Sequence, residues 1–315
     1  MNDLCLVTGG AGFIGSHLVD ELVRRGKPVR VLDDLSTGLK DNLAHHGSRI
    51  ELIEGSITDP AAVAKAVAGV KTVFHLGALA SVARSVETPL VSHAACATGT
   101  VTVLDEARKA GVKRVVFAGS SSAYGGYSTP DGQTEALLPN ALSPYAAAKL
   151  AGEYYMQAFA ATYGIETVRL RFFNIFGPRQ RADSPYSGVI AIFTAAMTAD
   201  KAPMVHGDGL QSRDFTYVGN CVQAIVKASE APGVSGKVYN VGMGSSVTVL
   251  GLVAALNKLM GKSLKVNHGE TRAGDVRYSQ ADISRTRADL GYSPTVSFED
   301  GLAKTLAWYR GEKWD

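Results

Sequence analysis

Leu4-Cys5-Leu6-Val7-Thr8-Gly9-Gly10-Ala11-Gly12-Phe13-Ile14-Gly15-Ser16 is an apolar run that turns on glycines directly into a helical pattern. Strand before, helix after and three spaced glycines describe a turn tight enough for a pyrophosphate to approach helix N–H groups. The next apolar run, Val29-Arg30-Val31-Leu32-Asp33, ends on an aspartate. A carboxylate there accepts hydrogen bonds from an adenine ribose and repels a 2'-phosphate, so NAD is expected rather than NADP. Asp34 follows instead of an arginine, which strengthens that expectation.

Leu4 to Thr8, Val29 to Asp33, Ile50 to Glu54, Thr72 to Leu76, Val115 to Ala118 and Thr167 to Arg171 read as strands separated by helical patterns. They are nearly continuous in Val, Ile and Leu, the pattern of strands covered on both faces. The expected fold is α/β, a doubly wound parallel (Rossmann) sheet with right-handed crossovers. Gly26 closes the first helix, Asp59-Pro60 opens another, and Ser143-Pro144 opens a third with a capping serine and proline at the first helical position. Beyond Asn174 the pattern changes to short strands and the helices Val189 to Ala199, Cys221 to Glu230, Val249 to Met260 and Phe298 to Tyr309. Residues 1–173 are therefore expected to form the cofactor domain, with later segments free to return to it, and residues 174–315 a smaller C-terminal α/β substrate lobe. No linker, repeat or low-complexity segment separates them.

The 315 residues carry 32 Lys plus Arg against 29 Asp plus Glu, a net charge of +3, with 46% hydrophobic and 19% charged residues. The scattered basic residues offer no stripe for nucleic acid, and no run is long and apolar enough for a membrane helix. Cys5, Cys96 and Cys221 are odd in number and lack metal or CxxC spacing, so they read as reduced residues of a cytoplasmic protein. His75 ends an apolar strand, His45 and His46 fall in a polar loop, and His17, His93 and His268 lack spacing partners. No catalytic metal is expected.

Tyr145 and Lys149 lie four apart just inside the helix opened by Ser143-Pro144, so they share one face. Bringing a tyrosine from about 10 to about 7 needs roughly 4 kcal/mol of differential stabilisation, which an ammonium and a positive nicotinamide ring can supply. Upstream, Gly119-Ser120-Ser121-Ser122-Ala123-Tyr124-Gly125 follows a strand end at the carboxyl edge, where ligands of open α/β sheets bind. Ser120 is the candidate hydroxyl for a reacting alcohol. Ser121 and Ser122 fit either a direct role or a turn that satisfies its own backbone.

The glycine motif, Asp33, the serine turn and Tyr145-x-x-x-Lys149 together resemble the extended short-chain dehydrogenase/reductases, and among them the nucleotide-sugar 4-epimerases acting on UDP-galactose or UDP-N-acetylglucosamine. The likeness runs from Val7 to Gly274-Asp275 and Leu290-Gly291-Tyr292-Ser293-Pro294. It implies an enzyme in which Tyr145 removes the sugar 4-hydroxyl proton while C4 gives hydride to NAD. The 4-keto sugar then rotates, and hydride returns to its other face. Lys149 would hold the ribose and favour the phenolate, and Ser120 would bridge substrate and tyrosine. It also implies that Gly9, Gly12, Phe13, Ile14, Gly15, Asp33, Ser36, Gly38, Ser56, Ile57, Leu76 and Ala78 surround the cofactor.

For the substrate, the resemblance points to Asn174, Arg213 and Arg272 at the diphosphate, Asp275 at the nucleoside ribose, and Met204, Val205 and His206 beside uracil. Ser81, Ser121 and Val189 would also face the substrate. Related dehydratases and decarboxylases carry acidic residues before their Tyr-Gly, where this chain has Ser121 and Ser122, so inversion is expected rather than elimination. Three departures stand out. Gly55-Ser56-Ile57 replaces the usual Gly-Asp-Ile, Cys96 stands where an asparagine is usual, and Ser279 occupies a wall where relatives restricted to unsubstituted hexoses place tyrosine. With the loop Ser81-Val82-Ala83-Arg84-Ser85, which resembles that of N-acetylhexosamine epimerases, Ser279 favours UDP-GlcNAc and UDP-GalNAc, with UDP-glucose and UDP-galactose also open. The alternatives are a UDP-glucuronate 4-epimerase and a non-catalytic NAD-binding regulator. Relatives dimerise through helices matching Thr100 to Ala110 and Tyr145 to Tyr163, so the resemblance implies a homodimer, although their alanine-rich faces equally suit burial within one subunit.

Overall fold

The computed structural model describes residues 3–125, 132–183, 187–271 and 276–314. The chain begins β1 (Cys5–Thr8), α1 (Phe13–Arg24), β2 (Val29–Asp33), β3 (Ile50–Glu54), α2 (Pro60–Val67) and β4 (Thr72–His75). It continues through α3 (Val82–Glu87), α4 (Pro89–His93), α5 (Gly99–Lys109), β5 (Arg114–Ser120), α6 (Pro144–Tyr163) and β6 (Glu166–Phe172). The second half contains β7 (Asn174–Phe176), α7 (Val189–Thr198), β8 (Met204–His206), β9 (Ser212–Arg213), β10 (Phe215–Tyr217) and α8 (Val218–Glu230). After these come β11 (Lys237–Val241), β12 (Val247–Thr248), α9 (Val249–Met260), β13 (Asn267–Gly269), β14 (Tyr278–Ser279), α10 (Ser284–Leu290) and α11 (Phe298–Tyr309).

Seven strands form one parallel sheet in the order β3-β2-β1-β4-β5-β6-β11. Successive side chains of a strand point to opposite faces, and each face is covered. Val7, Val31, Val116 and Val168 pack with Leu18, Val19 and Leu22 of α1 and Val222, Ile225 and Val226 of α8. Their neighbours Leu6, Leu32, Val73, Val115 and Phe117 pack with Val63 and Val67 of α2, Val103 and Leu104 of α5, and Met156 and Phe159 of α6. The six expected strands are all present, and burial on both faces accounts for their unbroken Val, Ile and Leu.

The seventh strand, β11, was not anticipated, and it brings residues beyond 230 back beside β6. Its apolar run is interrupted by Asn240, which is buried and accepts a bond from the Tyr124 hydroxyl (2.6 Å), while its amide donates to Gln133 O (2.7 Å) and Asp282 O (3.1 Å). A second core, built on Phe176, Phe193, Phe215, Leu252 and Leu302, gathers α7, α9 and α11 around the small pair β7 and β10. The helix signals hold: Asp59 and Ser143 accept bonds from Ala61 N and Ala146 N, and Gly26 turns at φ 70° after α1. The three cysteines are buried and free. Among the described residues, no helix is long and apolar enough to cross a membrane.

His75 is fully enclosed, its ring 2.7 Å from Thr8 Oγ1 and 3.1 Å from Thr100 Oγ1, tying β1, β4 and α5 together. Burial holds it neutral, with a pKa pushed down to about 3. Below its unfolded pKa of about 6.5 the unfolded chain binds a proton that the folded chain refuses, so stability falls as pH drops. Between pH 6.5 and 5 this one group should cost about 2 kcal/mol. Urea denaturation at the two pH values should show that loss in the parent and a smaller one in His75→Gln; equal losses would contradict it.

Candidate active site

The order of the sheet reverses beside β1, whose neighbours β2 and β4 are reached by crossovers on opposite sides. In open α/β sheets a crevice forms at that switch point outside the carboxyl ends. Here it is a cleft of about 850 Å³. Its floor is the turn between β1 and α1. Gly9 has φ +69°, and a Cβ on it would lie 2.8 Å from Gly77 N; one on Gly15 would lie 2.1 Å from Gly9 O. Only glycine lets these backbones approach. Gly12 caps α1 without any side-chain bond, leaving first-turn N–H groups open to an anion.

Asp33 closes the edge of the cleft, with its two carboxylate oxygens 2.9 Å from Ala11 N and Leu35 N. It thus fastens the glycine turn, and each oxygen keeps a lone pair for a ribose hydroxyl. Desolvation raises its pKa against the pull of those two backbone bonds. Gly38 does not line the cleft; a Cβ there would meet Asp33 Oδ1 at 2.9 Å, so the glycine lets the following loop pack on the carboxylate. Phe13, Ile14, Ser36, Ser56, Ile57, Leu76 and Ala78 do line it. Ser56 Oγ lies 2.9 Å from Thr58 Oγ1, so part of its bonding capacity is used locally. A glycine cradle, an open helix N-terminus and an enclosed carboxylate at the far edge together fit a dinucleotide without a 2'-phosphate.

On the other side, Ser120, Tyr145 and Lys149 converge on the same cleft. Ser120 ends β5 and accepts bonds from Ser122 N (3.2 Å) and Ser122 Oγ (2.9 Å), capping the turn Ser121–Tyr124. That leaves Ser121 half-buried in the turn and outside the cleft wall. Tyr145 is enclosed enough that burial pushes its pKa up, with the hydrogen bond to Ser120 acting in the opposite direction. Lys149, one turn along α6, is buried with Nζ 4.5 Å from the centre of the Phe117 ring. Desolvation lowers its pKa, and the charge of Glu153, a further turn on, resists that shift. Glu153 is itself paired with Arg171 through Nη2 at 2.8 Å and Nε at 3.1 Å, and Arg171 lies over the Tyr124 ring at 4.8 Å.

Ser81 lines the cleft and caps α3 by accepting from Arg84 N at 3.1 Å. Ser85 accepts from Tyr145 N at 3.0 Å, which binds that loop to the start of α6. The other expected substrate residues lie apart from the cleft lining. Arg213 and Ser279 are register partners in the small sheet β12-β9-β14, where Ser279 is buried and Arg213 donates to Ser212 O (2.8 Å) and Val276 O (2.6 Å). Asn174 begins β7, and its N–H donates to Asp214 O at 3.1 Å. In β8, Met204 is exposed, Val205 is part of the second core, and His206 Nδ1 lies 3.0 Å from Glu270 O. Val189 opens α7 next to Gly188, which does reach the cleft. Arg272 and Asp275 lie outside the described residues.

Two features are not among the expected site residues, although Asp214 belongs to the matched stretch Ser212-Arg213-Asp214. Asp214, between Arg213 and β10, accepts bonds from Met243 N (2.7 Å), Gly244 N (3.0 Å) and Ala281 N (3.1 Å) and so pins the second lobe to the end of β11; burial pushes its pKa up to about 6 despite them. The cleft is also walled by Arg179, Gln180 and Arg181. Gly177-Pro178 immediately after a strand end was the available signal for a wall there.

A model of the NAD dependent epimerase/dehydratase family matches residues 5–242. The chain is 37% identical over 313 residues to the UDP-glucose 4-epimerase of Mycolicibacterium smegmatis, covering 98% of both. It is similar to the solved UDP-N-acetylglucosamine 4-epimerase of Methanobrevibacter ruminantium in complex with UDP-N-acetylmuramic acid, with TM-score 0.94, 35% identity and coverage of 98% of this chain and 99% of that one. It is also similar to a UDP-glucuronic acid 4-epimerase of Bacillus cereus solved with NAD, with TM-score 0.91, 30% identity and coverage of 98% and 99%.

Proposed function

This chain belongs to the NAD dependent epimerase/dehydratase family, an NAD-dependent group with UDP-sugar 4-epimerases among its members, and on that premise we propose that it interconverts UDP-GlcNAc and UDP-GalNAc by inversion at C4, with UDP-glucose and UDP-galactose as slower substrates. The observation that carries the reaction type is the convergence of Ser120, Tyr145 and Lys149 on one cleft beside a turn whose residues 121–124 hold no carboxyl group. Tyr145 Oη takes the 4-hydroxyl proton, Ser120 holds the hydroxyl in line, and the Lys149 ammonium favours the phenolate. Bound NAD would supply the hydride acceptor and donor for C4 and a positive ring that joins Lys149 in favouring the Tyr145 phenolate. Eliminating water from the sugar would need a carboxylic acid at this turn, and Ser121 and Ser122 cannot serve as one. Residues 1–173 with β11 serve the cofactor, and the remainder of 174–315 holds the nucleotide end through Asn174, Arg213 and the segment Met204 to His206, with Arg272 and Asp275 assigned on resemblance alone.

The N-acetyl pair rests on the resemblance at Ser279, which lies outside the cleft lining, and on Ser81, which lines the cleft in the loop tied to Tyr145. One observation favours the uronate reading instead. Arg84 lines the cleft and makes no side-chain hydrogen bond or ion pair among the described residues, so a sugar carboxylate would find a charge partner there. Comparing kcat/KM for UDP-GlcNAc, UDP-glucose and UDP-glucuronate separates the readings: the highest value should belong to UDP-GlcNAc, and a preference for the uronate would replace it. A protein inert on all three would point to the regulator.

We also propose a cytoplasmic homodimer. Val86, Leu90 and Tyr154 stand exposed on α3, α4 and α6, Leu90 by 83%, beside an apolar groove formed by Pro89, Ala147 and Ala151. Such a patch is costly in an isolated subunit. Light scattering should give the mass of two chains for the parent and of one for Leu90→Glu; a monomeric parent would refute the pairing.

A further inference from the structure

Pro178, Arg179 and Gln180 are three consecutive residues, two of them lining the cleft, and each is held from outside its own loop. His17 Nε2 of α1 donates to Pro178 O at 2.9 Å, and the Tyr309 hydroxyl of α11 donates to Gln180 O at 2.6 Å. Between them Arg179 Nη1 lies 2.8 Å from Asp20 Oδ2, and its guanidinium sits 5.7 Å from the centre of the Trp314 ring. Trp314 in turn meets the His17 ring edge-on at 5.5 Å and is tethered by Lys304 Nζ to its carbonyl at 3.1 Å. Asp20 is fixed from its other side, because Oδ1 accepts from both His45 Nε2 and His46 Nε2 at 2.8 Å. His46 is thereby buried, although the sequence places it in a polar loop. Burial opposes the charge on Asp20, but Arg179 and the two histidines outweigh it and keep the carboxyl below its ordinary range.

Arg179 has φ 66°, in the left-handed region. A non-glycine residue held there is strained and persists only where the surroundings over-determine it. Asp20, Trp314 and the two flanking backbone bonds supply that determination. Asp20, His45 and His46 also bring three ligand atoms within 4.8 Å of one another. The Asp20 charge is nevertheless already engaged by Arg179, so the group reads as an ion-pair hub rather than a cation site.

We propose that Asp20, Arg179 and Trp314 form a latch that positions the Pro178–Gln180 wall over the bound nucleotides and sets how firmly NAD is retained. α1 is common to both parts: its N-terminus faces the cofactor turn, and its His17 and Asp20 hold the wall. Arg179 and Trp314 are thus positioning residues. This goes beyond the substrate assignment and rests only on the NAD dependence of the family. The test measures NAD per chain after desalting, together with KM and kcat, in Trp314→Ala, Arg179→Met and Arg179→Lys. The first two should lose NAD about tenfold faster or raise KM about tenfold with kcat within a factor of two, a tenfold loss being what the removal of about one net hydrogen bond's worth of binding produces. Arg179→Lys, which keeps the charge facing Asp20, should recover most of the retention. Unchanged NAD content and KM in both Trp314→Ala and Arg179→Met would overturn the latch; if Arg179→Met does not fold, Trp314→Ala decides. A protein inert on every sugar would still report on the latch through its NAD content.

Discussion

Replacing Tyr145 by phenylalanine is expected to lower turnover by about 10²- to 10⁴-fold, the usual worth of a positioned general base, while NAD stays bound and the melting temperature is nearly unchanged. The hydroxyl is the only atom removed. In the folded protein it bonds to Ser120 and is pushed towards its neutral form by burial, so its catalytic use depends on the positive charge of Lys149 one turn away. In the proposed site the cofactor rests mainly on other groups, the glycine turn and Asp33, which the substitution does not touch. Steady-state rates on UDP-sugars combined with the NAD content of the variant test both halves. Full activity in the variant would remove Tyr145 from the mechanism, and loss of NAD would show that its hydroxyl serves binding instead.

The second large effect is expected at Glu153, which lies one turn beyond Lys149, the proposed partner of Tyr145, rather than in the cleft lining. Glu153→Gln leaves the Arg171 guanidinium buried without its counter-charge, and breaking a buried pair from one side costs about 3–5 kcal/mol. The pair is enclosed, with side-chain exposures of 5% for Arg171 and 2% for Glu153, so solvent offers little compensation. Arg171 Nη1 already lacks a hydrogen-bond partner, and the Tyr124 ring cannot replace a carboxylate. Chemical denaturation should therefore show a loss of several kcal/mol. Lys149 should feel the change too, because Glu153 is among the charges that oppose its deprotonation, so the basic limb of the rate profile should move to lower pH. A loss below about 1 kcal/mol, the range of an exposed pair, would contradict this account.

What could be read from the residues alone was whatever is local in the chain. The glycine turn, Asp33 at the end of β2 and the pair Tyr145 and Lys149 are each written within a few positions, and the structure brings them to one cleft, with the Ser143-Pro144 cap starting the helix that carries the pair. The strands β1 to β6 were legible because burial on both faces imposes an unbroken apolar run. β11 was not, because Asn240 interrupts its run for reasons that lie far away, at Tyr124, Gln133 and Asp282. The wall at Arg179 and Gln180 was missed on the same grounds. Its placement depends on Asp20, Tyr309 and Trp314, each more than a hundred positions distant, and no periodicity or spacing encodes such a meeting. Ser279 and Arg213 illustrate the converse: both were singled out, and they do meet, but in a small three-stranded sheet outside the cleft lining.

Inversion at C4 is tested by incubating the purified protein with UDP-GlcNAc and with UDP-glucose, separately and without added cofactor, and following the sugar anomeric protons by NMR. UDP-GalNAc should appear from UDP-GlcNAc and approach a constant ratio, with slower conversion of UDP-glucose. Conversion of UDP-glucose alone would refute the N-acetyl assignment, and no conversion of either by a protein that retains NAD would contradict 4-epimerisation of these sugars.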